Sequence, residues 1–160
     1  MAASRYTSRQ TSVVFEDATG TPLTVTIGPG AGDLSIGEYN AENAEHITKL
    51  NRGVFDGFVL GDDLTQDCSL TIELINQSIT DASNDRVWDV INKTGSFAAG
   101  VTVDPSGAIW AWKCTVTMTD GTTTSTVVLP VCEGGVSVSE GKEGNSLSIS
   151  FRNHGAITVT

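Results

Sequence analysis

The constraint that most narrows what this chain can fold into is a run of strict period-two alternation in its C-terminal half. Trp110, Trp112, Cys114, Val116 and Met118 occupy one parity and Lys113, Thr115, Thr117 and Thr119 the other, up to the turn Asp120-Gly121. Side chains that alternate this way fit a strand with one buried and one wet face, and Asp-Gly favours a tight hairpin. Thr122 to Val131 returns along it. Val136 and Val138 then alternate with Ser137 and Ser139, and Leu147, Ile149 and Phe151 alternate with Ser146, Ser148, Ser150 and Arg152. Between these runs lies the polar turn 140–145. The last residues, Ile157-Thr158-Val159-Thr160, read as a strand that nothing in the sequence blunts at its edge.

The N-terminal half carries the same signature less regularly. Val13 to Glu16 and Leu23 to Ile27 form an expected hairpin through Asp-Ala-Thr-Gly-Thr-Pro, and a third strand is expected from Leu34 to about Tyr39. Residues 41–50 suit either a helical turn or a strand, and a strand is favoured because Asn51-Arg52-Gly53 resembles a tight turn before the apolar Val54–Leu60. Ser69 to Ile75 alternates again and is expected to be the sheet centre. A single amphipathic helix is expected at about 81–94, with Asp81 as N-cap, a stripe of Val87, Trp88, Val90 and Ile91 laid on that sheet, and Asp89 on the polar side. The predicted class is therefore all-β, mainly strands with one flanking helix, in a β-sandwich or barrel.

At 160 residues the chain is expected to form one domain, 13–160, which would bury about 68–70% of its unfolded surface. Residues 1–12 are polar and aperiodic and read as a flexible arm, either free or docked through Arg5, Tyr6 and Arg9 on an acidic neighbour. The segment 40–66 reads as a projecting hairpin, since Phe55, Phe58 and their apolar neighbours are too many for a solvated loop.

Composition removes several functions. A net charge of −10 with nine scattered basic residues does not grip phosphates. No window approaches a membrane span, and the N-terminus lacks an apolar signal core, so production in a cytoplasm is expected. Cys68, Cys114 and Cys132 lack CxxC spacing and read as small buried hydrophobes rather than zinc ligands; His46 and His154 are too isolated to complete a metal site or a catalytic triad. Asp62, Asp63 and Asp67 lack calcium-loop spacing and read as an acidic turn. No cofactor, metal or enzymatic activity is expected.

The order of these elements, from the strand at Leu34–Tyr39 through Arg52-Gly53, the hairpin turning at Gly61-Asp62-Asp63, Ser69–Ile75, one Trp-bearing helix and a Ser/Thr-rich run of strands, resembles the major tail tube proteins of long-tailed bacteriophages. It also resembles the related tubes of contractile injection systems. The resemblance spans about 13–160 and implies sheets that join across subunits in hexameric rings, stacked into a tube through which DNA passes without sequence-specific binding. It implies a virion tail location, assembly in the host cytoplasm, and partners that are other copies of the chain and the terminator, tape measure and distal tail proteins. Arg5, Tyr6, Arg9, Arg52, Phe55, Phe58, Asp62 and Asp63 become candidate contacts between subunits or rings. Thr71, Glu73, Ser146, Ser148 and Ser150 become candidate lumen residues. A tail terminator, completion or capsid decoration protein is the nearest alternative; a carbohydrate-binding β-sandwich using Trp112 is a more distant one.

Overall fold

The computed structural model describes residues 11–28, 32–36, 46–51, 54–60, 65–74, 86–141 and 144–160. Ten strands and one short helix follow in the order β1 Thr11–Glu16, β2 Thr24–Ile27, β3 Gly32–Ile36, β4 His46–Asn51, β5 Val54–Leu60, β6 Gln66–Leu74, α1 Val87–Asn92, β7 Trp112–Thr119, β8 Thr124–Gly141, β9 Gly144–Asn153 and β10 Thr158–Val159. A 3₁₀ turn at Gly95–Ala99 follows α1. Among the described residues the chain is mainly β with a single flanking α-helix, in keeping with its alternation.

Eight strands make one antiparallel sheet in the order β2-β1-β7-β8-β9-β6-β3, with β10 added beside β8. β8 is its corner. Residues 124–132 of β8 pair with β7 and 132–141 pair with β9, Cys132 being the one position that pairs with both. At the changeover the register slips: Cys114 faces Leu129 but Trp112 faces Cys132, leaving one extra residue on β8 around Pro130. A proline cannot donate to a ladder and is tolerated at such a bulge. The strand therefore runs through Pro130, Gly134 and Gly135 as one element where the sequence pattern predicts two.

The two halves of the sheet fold face to face around one core. Val13, Phe15, Cys114, Val116 and Leu129 come from the β2-β1-β7-β8 half, and Cys68, Leu70, Ile72, Leu147, Ile149 and Phe151 from the β8-β9-β6-β3 half. Phe15 meets Phe151 edge to face, with ring centroids 6.3 Å apart and planes at 79°. The end strands β2 and β3 do not pair with each other, so this is an open, folded sheet and not a closed barrel.

Two expectations about the helix need correction. Its contacts are chiefly with β8, β1 and the 3₁₀ turn, rather than with β6. Asp89 is fully buried instead of lying on a polar face. The helix is only six residues long, and Lys93 (φ 53°) and Gly95 (φ 53°) turn the chain back over it. Thr94 Oγ1 thereby donates to Asp89 Oδ1 at 2.8 Å, and the Asp89 carboxylate fills the space where a Cβ on Gly95 would stand. Trp110, expected in β7, precedes it; its indole N–H donates to Val90 O at 2.6 Å and ties α1 down. The expected N-cap Asp81 lies outside the described residues.

Candidate assembly surfaces

The half-sheet β8-β9-β6-β3 carries its apolar residues inward, and the same alternation sends small polar residues outward. Register aligns them in rows across four strands. Ser35 stands beside Ser69, Ser69 beside Ser150, and Ser150 beside Gly135. Asp33, Thr71, Ser148 and Ser137 form the next row, and Glu73, Ser146 and Ser139 the one after. Thr71 Oγ1 and Ser148 Oγ lie 3.5 Å apart, and Ser137 Oγ donates to Ser148 O at 3.4 Å. Thus four of the candidate lumen positions, Thr71, Ser146, Ser148 and Ser150, fall on one face, and the fifth, Glu73, is paired in register with Ser146.

One charged row closes this face. Arg152 Nε donates to Asp67 Oδ1 at 2.9 Å, and Arg152 is cross-strand neighbour to Glu133 on its other side. His154 Nε2 stands 3.2 Å from Glu133 Oε1. The single cation of the row is flanked by two carboxylates, so it offers no net positive site to a phosphate. An open depression of about 530 Å³ lies here, lined among others by Ser69, Ser150, Gly134, Asp67, Glu133 and Arg152. Ser69, Ser137, Ser139 and Glu133 join the face without having been candidates for it from sequence, although the Val136/Ser137/Val138/Ser139 alternation already carried that signal; Asp67, expected in an acidic turn, lies instead within β6, where its place in the ladder puts it beside Arg152.

The edges of this half-sheet are equally informative. Among the described residues, β3 pairs only with β6, and residues 133–141 of β8 pair only with β9. Val138 shares parity with Leu147 yet is 42% exposed, because β7 leaves β8 at Cys132 and, among the described residues, no strand takes its place beyond it. Neighbouring strands run antiparallel throughout. Four such strands leave β3 and β8 pointing in opposite directions, so β3 of one copy set beside β8 of another would again be antiparallel.

Other candidates sort differently. Arg5, Tyr6, Arg9, Arg52, Asp62 and Asp63 lie outside the described residues. Phe55 and Phe58 lie on β5, which pairs with β4 in a separate two-stranded sheet. The three cysteines are buried and free. Burial, with neighbouring Cys68, pushes the Cys114 thiol up to about 12, and burial with the other two thiols also raises Cys132. Both are thereby poor nucleophiles at neutral pH. Among the described residues, no three His, Cys, Asp or Glu side chains gather to hold a metal, and no helix is long and apolar enough to cross a membrane. Trp112 is 1% exposed and cannot serve as a sugar platform, and Lys93 Nζ stands 4.9 Å over the Trp110 ring.

No family model matches the chain, and no curated protein matches it. Among solved structures, the SPP1 tail tube, determined as a hybrid of solid-state NMR and cryo-EM, is similar over 98% of this chain and 79% of its own, with 12% identity and a TM-score of 0.49.

Proposed function

We propose that this chain is a structural protein of a phage or prophage tail, a tube subunit that self-assembles into stacked six-fold rings and has no enzymatic activity. The observation that carries the reading is the half-sheet β8-β9-β6-β3, with its hydroxyl-rich outer face and, among the described residues, an unpaired edge on each side. Exposed edges of this kind are templates for pairing with another chain. Edge-to-edge joining of β3 to β8 in successive copies would close the half-sheets into a ring and turn the Ser/Thr face toward its lumen. A lumen of hydroxyls, carboxylates and one neutralised arginine row lets DNA slide without sticking, in keeping with the −10 charge of the whole chain. Terminator, tape measure and distal tail proteins are the other partners that such a tube requires.

Electron microscopy of the purified protein tests this directly. Stacked rings with an open lumen are expected; a protein that stays monomeric at high concentration would refute the reading. Isolated single rings or trimeric caps that never stack would instead assign the chain to the tail terminators, completion proteins or capsid decorations.

A further inference from the structure

The hairpin between β7 and β8 turns at Asp120-Gly121, where a carboxyl group is followed directly by a backbone nitrogen able to attack it. Asp120 N donates to Thr123 O at 3.2 Å and closes the turn, with Gly121 at φ 89°. Asp120 Oδ1 accepts from Thr122 N at 2.8 Å and from Thr123 N at 2.6 Å. Gly121 N donates to Thr119 Oγ1 at 3.1 Å, and Thr124 Oγ1, on the residue paired with Thr119, donates to the same hydroxyl at 3.4 Å. Residues 121–124 are exposed, so water reaches the tip.

An aspartyl side chain followed by glycine can close on the backbone, because glycine has no Cβ to shield its nitrogen from the carboxyl carbon. Gly121 N would form a bond to Asp120 Cγ while the amide proton and a carboxyl OH leave as water, giving a five-membered cyclic imide. Water then adds to one of the two imide carbonyls. Breaking the new N–Cγ bond restores aspartate; breaking the original peptide bond leaves isoaspartate, with the main chain routed through Cβ and Cγ. One water leaves and one enters, and no oxidant, metal or cofactor takes part.

We infer that Asp120-Gly121 is a self-modification site of this chain, poised to form isoaspartate and held back by the Thr119 hydroxyl. Two relationships carry the inference. The two N–H groups on Oδ1 are placed to stabilise the negative charge that develops on that oxygen when Cγ is attacked. The nucleophile, however, is engaged elsewhere. Its N–H is aimed at Thr119, so the rotation of the Asp120-Gly121 peptide that brings the nitrogen over Cγ costs this hydrogen bond. Isoaspartate adds one methylene to the main chain at the tip, next to the paired Thr119 and Thr124 that close the ladder. The site is independent of the assembly reading above.

The test incubates the full chain for weeks at neutral pH and measures isoaspartate at residue 120 by chromatographic peptide mapping against a synthetic isoaspartyl standard. Mapping also separates this site from the other Asp-Gly pair, Asp56-Gly57. The parent is compared native and in urea, and native Thr119→Val is compared with Thr124→Val, which removes the neighbouring hydroxyl but leaves the Gly121 bond. Protection of the buried cysteines reports folding. Slower isoaspartate formation in the native parent than in urea is expected, with Thr124→Val close to the parent. Thr119→Val should be about threefold to tenfold faster than the native parent, the rate equivalent of one lost hydrogen bond. Equal rates in native and unfolded parent overturn the inference without recourse to any variant. So does a Thr119→Val protein that keeps its thiol protection and reacts at the parent's rate, or a Thr124→Val protein that accelerates as much as Thr119→Val.

Discussion

The side-chain amide of Asn153 donates to Gln66 Oε1 at 2.6 Å, with both residues buried where β6, β8 and β9 meet. The same Asn153 nitrogen donates to Gly155 O at 2.6 Å, and its Oδ1 accepts from Val131 N and Gly155 N at 3.4 Å each. One side chain therefore fixes the kink by which the chain leaves β9 and continues as β10 along β8. Removing it strands buried polar groups. Asn153→Ala is expected to cost about 1–3 kcal/mol, measured by urea unfolding; no change in midpoint would show that the corner is held by packing alone.

Gly134 carries a second part of the corner. A Cβ there would collide with Ser150 O and stand 2.6 Å from Phe151 Cα, which is backbone that cannot swing aside. Gly134→Ala is expected to destabilise by about 1–3 kcal/mol through overpacking. Gly135→Ala, at the next residue, where a Cβ would meet nothing within 4 Å, is the matched control and should be close to neutral.

Stability should fall in acid. Burial alone would raise the Asp17 carboxyl, but hydrogen bonds from Leu23 N, Thr19 and Val101 N outweigh it and hold it below its ordinary 3.8. Asp104 is held at about 2, first by the Ser106 hydroxyl and then by backbone N–H groups of Ile109, Ser106 and Ala108. Lowered carboxyls contribute fully above the unfolded value and lose that contribution as pH falls through the folded one. The decline attributable to them should therefore run from about pH 4 toward about pH 2, and Asp17→Asn should flatten it. An identical acid profile for Asp17→Asn would contradict the assignment.

The cysteines offer a probe of global opening. With Cys114 raised to about 12 and Cys132 also raised, thiolate is scarce in the native state, and all three sulfurs are enclosed. Alkylation followed by mass spectrometry should label none of them quickly in buffer and all three together across the urea transition. Rapid native labelling of any one would reveal local opening of its strand.

At the free edge of β8, Val138→Lys places a cation on an exposed strand edge, a common natural block to edge pairing. The monomer should keep its stability within about 0.5 kcal/mol, as surface substitutions do, and ring formation should be lost. Normal rings from this variant would show that β8 residues 133–141 are not the joining edge.

Local chemistry in the sequence determined a great deal. The alternation at 112–119 and 144–153, the Asp-Gly turn, the hairpin of β1 with β2 and the split of Ser/Thr from aliphatic positions all follow from side chains that must sort between core and water every second residue. The hydroxyl face was readable for the same reason, because Ser146, Ser148 and Ser150 share a strand parity that tertiary context does not alter. Only the tertiary structure decided the rest. No local pattern indicates that β8 runs unbroken through Pro130 and changes partner there, since a bulge is stabilised by the strands on either side of it. Nor could sequence bury Asp89, whose enclosure depends on Lys93 and Gly95 turning the chain back. Which edges stay unpaired among the described residues, and where the ladder of β4 with β5 slips by one residue, depend on register between paired strands, and register is a property of the pair rather than of either strand alone.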